Sequence, residues 1–153
     1  MNQIGENELL RCKFVSDLFE YSTKKKDCSS QTFIKAFVYS SVQKRLALKS
    51  FAYESLDVPA AYEIIKGEKK MSRGKDIYPS FVMSWIGYVM QYFVCLSGIP
   101  MTAFYRKVKP EELYSLYEPY HSLDNEVVIK RICEAKKINL NLNDPNVMKS
   151  LMR

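Results

Sequence analysis

The sequence predicts a mainly α fold: a compact single-domain helical bundle around a central apolar helix at about 80–97. Three observations carry this. Apolar residues recur at intervals of three and four almost throughout, and no stretch keeps the alternation of a strand. The run from 77 to 105, IYPSFVMSWIGYVMQYFVCLSGIPMTAFY, contains no Asp, Glu, Lys, Arg or His. Finally, 153 residues that are 47% hydrophobic and 26% charged, with only 5 Gly and 6 Pro, suit one domain burying roughly two-thirds of the surface its unfolded chain exposes. No internal repeat and no Pro- or Ser-rich linker divides the chain. One domain is expected over 1–138, with a polar tail over 139–153.

The first helix is read from Glu6 to Tyr21, because Leu10, Phe14, Leu18 and Tyr21 fall on one face. The polar, basic STKKKDCSS ends it and offers Ser29 or Ser30 as the next N-cap. A second helix is expected across QTFIKAFVYSSVQKRLALKS, with Phe33, Phe37, Val38 and Ser41 on one side and Ser40 and Ser41 allowing close packing. In ESLDVPAAYEIIKG, Asp57 caps, Pro59 fits the first turn and Gly67 suits the residue past the end, which predicts a helix over Pro59–Lys66. KGEKKMSRGKD has no apolar period and reads as a mobile loop.

The uncharged run is next. Tyr78 and Pro79 lead into a helix over Ser80–Ser97, stopped by Gly98 and Pro100. Its length is near that of a membrane span. However, Ser80, Ser84, Tyr88, Gln91, Tyr92 and Ser97 would leave polar atoms without partners in hydrocarbon, so it is read as a core helix and no membrane partner is expected. Phe81, Trp85, Tyr88 and Tyr92 form one stripe; Val82, Ile86, Val89, Phe93 and Leu96 form another. Both are expected to be covered, with Trp85 in the core and Gly87 permitting a close crossing. A short helix near Thr102–Val108, a helix starting at Pro110, a break at EPYHSLD and a last helix capped by Asp124 complete the chain. In that last helix Val128 and Ile132 face inward and Lys130, Arg131, Lys136 and Lys137 mostly outward.

Chemistry is sparse. Cys12, Cys28, Cys95 and Cys133 stand far apart, with no CxxC, so neither a zinc site nor a redox dithiol is suggested, and free thiols in a reducing cytoplasm are expected. Met1 runs directly into NQIGENELLRC, with acidic residues where an export signal would be basic and then apolar. His121 is the one histidine. It stands near Asp124 and Glu126, as an acid–base pair would require, but a histidine at this place more often satisfies local backbone or packs on tyrosines. No glycine-rich phosphate loop is present. No catalytic residue, cofactor or metal is assigned. The net charge of +6, from 23 basic and 17 acidic residues, is moderate and favours nucleic acid or an acidic protein surface. VCLSGIPMTAFYRKV has the local pattern of a helix-turn-helix, in which Met101 and Phe104 would anchor a second helix bearing Thr102, Tyr105, Arg106 and Lys107.

MSWIGYVMQYF, then SGIPMTAFYRKVKPEELYSLY, then YHSLDNEVVIKRI together resemble a family of small, mostly uncharacterised bacterial proteins labelled antitoxin components of toxin-antitoxin loci. The family pattern runs [YF]WIGYxYRYW, a small-residue turn, an IYK-like segment and [FY]HT[LM]DxxxAIxxL. The resemblance covers about Phe33 to Ile132. Trp85, Ile86, Gly87 and Tyr88 match it, as do Tyr120, His121, Leu123 and Asp124. Gln91, Tyr92 and Phe93 replace its Arg-Tyr-Trp, and Ser122 replaces its Thr. The resemblance implies binding and neutralisation of a protein partner, and leaves room for repression of the protein's own operon.

The functional expectation is a non-enzymatic, cytoplasmic, protein-binding inhibitor of a toxin-like or defence protein. A DNA-binding regulator is one alternative, and a phage-derived inhibitor of a nucleic-acid-processing defence complex is another. The candidate contacts for a partner or for nucleic acid are Lys69, Lys70, Arg73, Lys75, Thr102, Tyr105, Arg106, Lys107 and His121.

Overall fold

The computed structural model describes residues 3–48, 56–72 and 74–140. These form eight helices and, among the described residues, no strand. The sequence elements at 49–55, Arg73 and the tail from 141 to 153 lie outside them.

Helix α1 (Glu6–Lys25) runs a full turn past its expected end at Tyr21. The polar residues that seemed to terminate it turn their hydroxyls back onto the helix: Ser22 Oγ donates to the Phe19 carbonyl at 2.6 Å and Thr23 Oγ1 to Glu20 at 2.7 Å. Lys26, left-handed at φ 55°, supplies the stop. The expected long second helix is two helices, α2 (Ser30–Val38) and α3 (Ser41–Leu46). Ser40 makes the break. It is wholly buried, accepts from the Gln43 amide at 3.2 Å as the N-cap of α3 and donates to the Phe37 carbonyl at 2.7 Å, so it acts as a cap and not as a packing notch. Ser29 caps α2, and Asp57 caps α4 (Val58–Glu68) by accepting from the Ala60 amide at 2.8 Å. Gly67 lies inside α4 and does not end it. Glu68 holds the last turn by accepting from both the amide and the hydroxyl of Ser41.

Helix α5 (Ser80–Ser97) has the predicted bounds, with Gly98 left-handed at φ 74° just past its end. It is long and apolar enough to cross a membrane by length and composition, and most of it is buried inside the fold. It is the central helix. α1 packs along it, and α6 (Met101–Lys107), α7 (Pro110–Tyr120) and α8 (Asn125–Ala135) pack around it. The expected break at EPYHSLD comes later, since α7 continues through Pro119 to Tyr120. In the last turn a proline forfeits one main-chain hydrogen bond, and the helix ends one residue later. Asp124 occupies the N-cap position of α8 without a side-chain capping bond. Val128 and Ile132 face the core as expected, joined by Ile129 and Cys133, while Lys136 is half-buried and paired with Glu112. At the tail boundary, Leu140 packs against the core.

The two stripes of α5 do not share a fate. Val82, Ile86, Val89, Phe93 and Leu96 are core residues. Trp85, Tyr88 and Tyr92 are only half-buried and Phe81 is 60% exposed, which corrects the expectation that Trp85 is a core residue. The core is instead organised by Phe19 of α1. Its ring meets Phe33 edge-on at 5.4 Å and Phe37 at 5.1 Å, and Phe33 stacks on Tyr62 at 5.8 Å.

The glycines of α4 and α5 make opposite predictions. A Cβ on Gly87 would stand 2.8 Å from Phe19 Cγ and 2.9 Å from the Val15 carbonyl oxygen, whereas one on Gly67 meets nothing within 4 Å. Gly67→Ala is expected to stabilise by roughly 0.5–1 kcal/mol through helix propensity. Gly87→Ala is expected to lose that gain and a further 1–3 kcal/mol, roughly, to overpacking. Urea denaturation of the two variants checks the sign of each.

Candidate functional site

The open stripe of α5 forms the floor of a shallow groove of about 350 Å³. Phe81, Ser84, Trp85 and Tyr88 come from α5 at helical spacing, Ser16 from α1, Tyr117 and His121 from α7 and its end, and Asn125 from the start of α8. Tyr117 is its hub. It lies 5.4 Å from Phe81, takes Trp85 edge-on at 5.7 Å and stacks on His121 at 4.4 Å with planes 11° apart.

Hydrogen-bond bookkeeping fixes the polar character of this groove. Ser16 Oγ donates to the Ser84 carbonyl at 2.9 Å and also lies 2.7 Å from Ser84 Oγ. Either hydroxyl can be the donor in the shorter contact. His121 Nδ1 faces two carbonyl oxygens, Tyr117 at 2.8 Å and Glu118 at 3.2 Å. Carbonyls only accept, so Nδ1 carries a proton, and in the neutral ring Nε2 is left as an acceptor. The same bonds satisfy carbonyls at the end of α7. His121 therefore serves the local backbone and a tyrosine, and its Nδ1 bonds run to carbonyls and not to Asp124 or Glu126. The Tyr88 and Tyr92 hydroxyls are pushed up by burial and stay protonated.

The other predicted contacts lie on separate elements. Thr102 and Tyr105 of α6 are half-buried and Arg106 and Lys107 exposed, while Met101 and Phe104 are buried, as an anchored second helix requires. Tyr105 is engaged within the fold, edge-on to Tyr39 at 6.0 Å and under Lys109 Nζ at 4.7 Å. Lys69 and Lys70 line an open cavity of about 460 Å³ with Asp27, Lys66, Glu68 and Met71. Lys75 is exposed; Arg73 is outside the described residues. The structure thus groups Lys69 with Lys70 and Arg106 with Lys107, and it places His121 alone in the aromatic groove.

Of the residues lining the groove, sequence reasoning named only His121 as a contact, and missed Tyr117, Phe81, Trp85, Tyr88, Ser16, Ser84 and Asn125. The available signal was Tyr117 one turn before His121. Trp85, Tyr88 and His121, which carry the resemblance, do converge here.

Among the described residues no group of three or more His, Cys, Asp or Glu could hold a metal. None of the four cysteines forms a disulfide. Burial pushes the Cys28 thiol up to about 11 and Cys133 to about 12, and a hydrogen bond with Cys95 together with burial raises Cys12. The Cys12 bond holds half-buried Cys95 lower. No family model, curated protein or solved structure matches the chain.

Stability should separate the two kinds of aromatic. Trp85→Ala is expected to cost roughly half of the 3–5 kcal/mol of a fully buried aromatic, and Phe81→Ala no more than about 0.5 kcal/mol, both read from urea midpoints. A pH effect should appear beside the lysine cavity, where the Tyr62 hydroxyl donates to Asp27 at 2.6 Å and Lys66 lies 3.5 Å away. The tyrosine first, and then the lysine, hold Asp27 below the usual carboxylate range. A depressed folded pKa stabilises above the unfolded value, about 3.9, and that stability is lost as pH falls through the folded one. Tyr62→Phe is expected to cost about 1–2 kcal/mol at pH 7, and the gap from the parent protein should narrow below pH about 4 in paired denaturation curves.

Proposed function

We propose that this chain is a cytoplasmic, non-enzymatic inhibitor resembling an antitoxin, which neutralises a toxin-like or defence protein by seating it on the aromatic groove. The observation that carries this reading is the gathering of Trp85, Tyr88, Tyr117 and His121 around one open groove, with Phe81 60% exposed at its edge. Protein interfaces draw most of their energy from a few aromatic anchors in desolvated pockets, and half-buried Trp and Tyr lose little side-chain freedom when a partner covers them. The antitoxin label itself comes from the resemblance in sequence.

A second reading, a DNA-binding regulator, is favoured by one feature: Met101 and Phe104 anchor α6 and leave Arg106 and Lys107 exposed. Against it, α6 is only seven residues long and Tyr105 is already packed. Co-expression with the product of the neighbouring reading frame tests both. Tyr88→Ala combined with Phe81→Ala is expected to reduce co-purification at least about tenfold, as loss of interface anchors does, while Arg106→Ala with Lys107→Ala leaves it intact. If the neighbour never co-purifies, and a promoter fragment binds through those two basic residues with a salt slope that drops by roughly one per lost phosphate contact, the DNA reading replaces this one.

A further inference from the structure

Two cysteines that stand far apart in the chain meet in the fold. Cys12 of α1 and Cys95 of α5 share a hydrogen bond between their thiols. They lie along the seam that sets Val15 and Phe19 against Gly87 and Ser16 against Ser84, so the contact belongs to the closely packed helix pair at the centre of the fold. Cys28 donates instead to the Met71 thioether at 3.7 Å, and Cys133 is buried.

The two thiols of the pair are not equivalent. Cys12 is wholly buried, whereas Cys95 is half-buried and can be reached from solvent. The Gln91 side-chain amide, one turn earlier on α5, donates to Cys95 Sγ at 3.7 Å, and the Cys12 thiol donates to the same sulfur. Two donors on one sulfur favour its thiolate, the form that attacks an oxidant. They hold Cys95 below the ordinary thiol value, while Cys12 is raised. Gln91 is itself 1% exposed, and its Oε1 has no hydrogen-bond partner. A buried amide left half-satisfied costs stability, and Leu or Met would fill the same space without that cost. Two thiols that only filled the seam would need neither the opening at Cys95 nor a donor beside it.

We propose that Cys12 and Cys95 form a thiol-oxidation site, at which hydrogen peroxide converts the pair into a disulfide that staples α1 to α5. The Cys95 thiolate attacks one peroxide oxygen. An S–O bond forms, the O–O bond breaks, and the departing hydroxide takes up the proton that Cys95 had released, giving the first water. The Cys12 sulfur then attacks the Cys95 sulfur and displaces the oxygen, which leaves with the Cys12 proton as the second water. Two thiols lose two electrons, and one peroxide is reduced to two waters. Because the resolving thiol is already in contact, the sulfenic acid is consumed before a second peroxide can carry Cys95 to the irreversible sulfinic acid. In a reducing compartment such a bridge is transient and reversed by cellular thiols, as in a redox-sensing pair.

The full chain, reduced and then freed of reductant, is treated with a few equivalents of hydrogen peroxide, blocked with N-ethylmaleimide in urea and weighed intact. The expected product has lost two hydrogens and takes up two maleimides, where the untreated chain takes one on each of its four cysteines. Its digest should contain a Cys12–Cys95 peptide that dithiothreitol splits. Cys95→Ala, at the half-buried position, should lose the bridge; Cys12→Ala should stop at a sulfenic acid on Cys95, which dimedone captures; and Cys28→Ala with Cys133→Ala should bridge like the parent. The bridged chain should unfold at a higher urea midpoint, by roughly 1 M, as a cross-link closing a long loop gives. Four maleimides after peroxide, a bridge to Cys28 or Cys133, or a bridge between two chains overturns the inference. So does a midpoint at or below that of the reduced chain, since the sulfurs would then be joined only in a distorted fold.

Discussion

The close approach of α1 and α5 at Gly87 is the constraint on which the rest of the fold depends. With no side chain there, Phe19 and the Val15 carbonyl occupy the space a Cβ would take. Phe19 can then reach Phe33 and Phe37 of α2, and Phe33 carries the contact on to Tyr62 of α4. A wider spacing would leave that ring without partners, and a void beside a buried aromatic forfeits dispersion contacts on one side. On the other side of the pair, Phe93 of α5 meets Phe104 of α6 at 4.5 Å, which fixes the turn after Gly98.

The same crossing decides where the groove can be. Ser16, next to Val15, and Ser84, one turn before Gly87, hydrogen-bond across the seam and mark the edge where α1 stops covering α5. From there α5 turns its aromatic stripe outward until Tyr117 of α7 and Asn125 of α8 close the far wall. A helix apolar all round needs neighbours on every side. α5 lacks one neighbour along this strip, and it places Trp and Tyr there, residues that tolerate a half-wet surface because each has a polar end.

Much of the fold was legible in the sequence because it is written in local signals. The bounds of α5, the left-handed Gly98, the caps Ser29 and Asp57, and the inward Val128 and Ile132 follow from periodicity and capping chemistry that act within one or two turns. The errors came where a distant partner overrides the local signal. Gly67 looks like a stop but stays helical, with Glu68 held by Ser41 from α3. Ser40 looks like a spacer but is a buried cap. Periodicity separated the two stripes of α5 correctly, but a stripe carries no mark of whether another helix covers it, so Trp85 was misplaced. At the candidate site His121 was conspicuous as a lone histidine, while Trp85 and Tyr88 stood out only as matches to the resemblance and were read as covered. Tyr117 was not, because its role is to join Phe81 and Trp85 of α5 to His121 at the end of its own helix, and no local pattern encodes that.

Charge gives the last step. The basic residues of this chain are dispersed over its surface, Lys69, Lys70, Arg106, Lys107, Lys130 and Arg131 among them, and among the described residues none lines the groove. Leaving Phe81 and its neighbours open forgoes apolar burial worth about 25 cal/mol per Å², a stabilisation that a covering loop or helix would recover. Exposed basic groups at the surface need no covering, and they interact with any polyanion through a screened, long-range field. An aromatic surface, by contrast, interacts only at contact and only with a shape that fits it. On the proposed reading, specific recognition would fall to the groove, and the dispersed lysines and arginines would serve solubility and weak, salt-sensitive encounters that precede it.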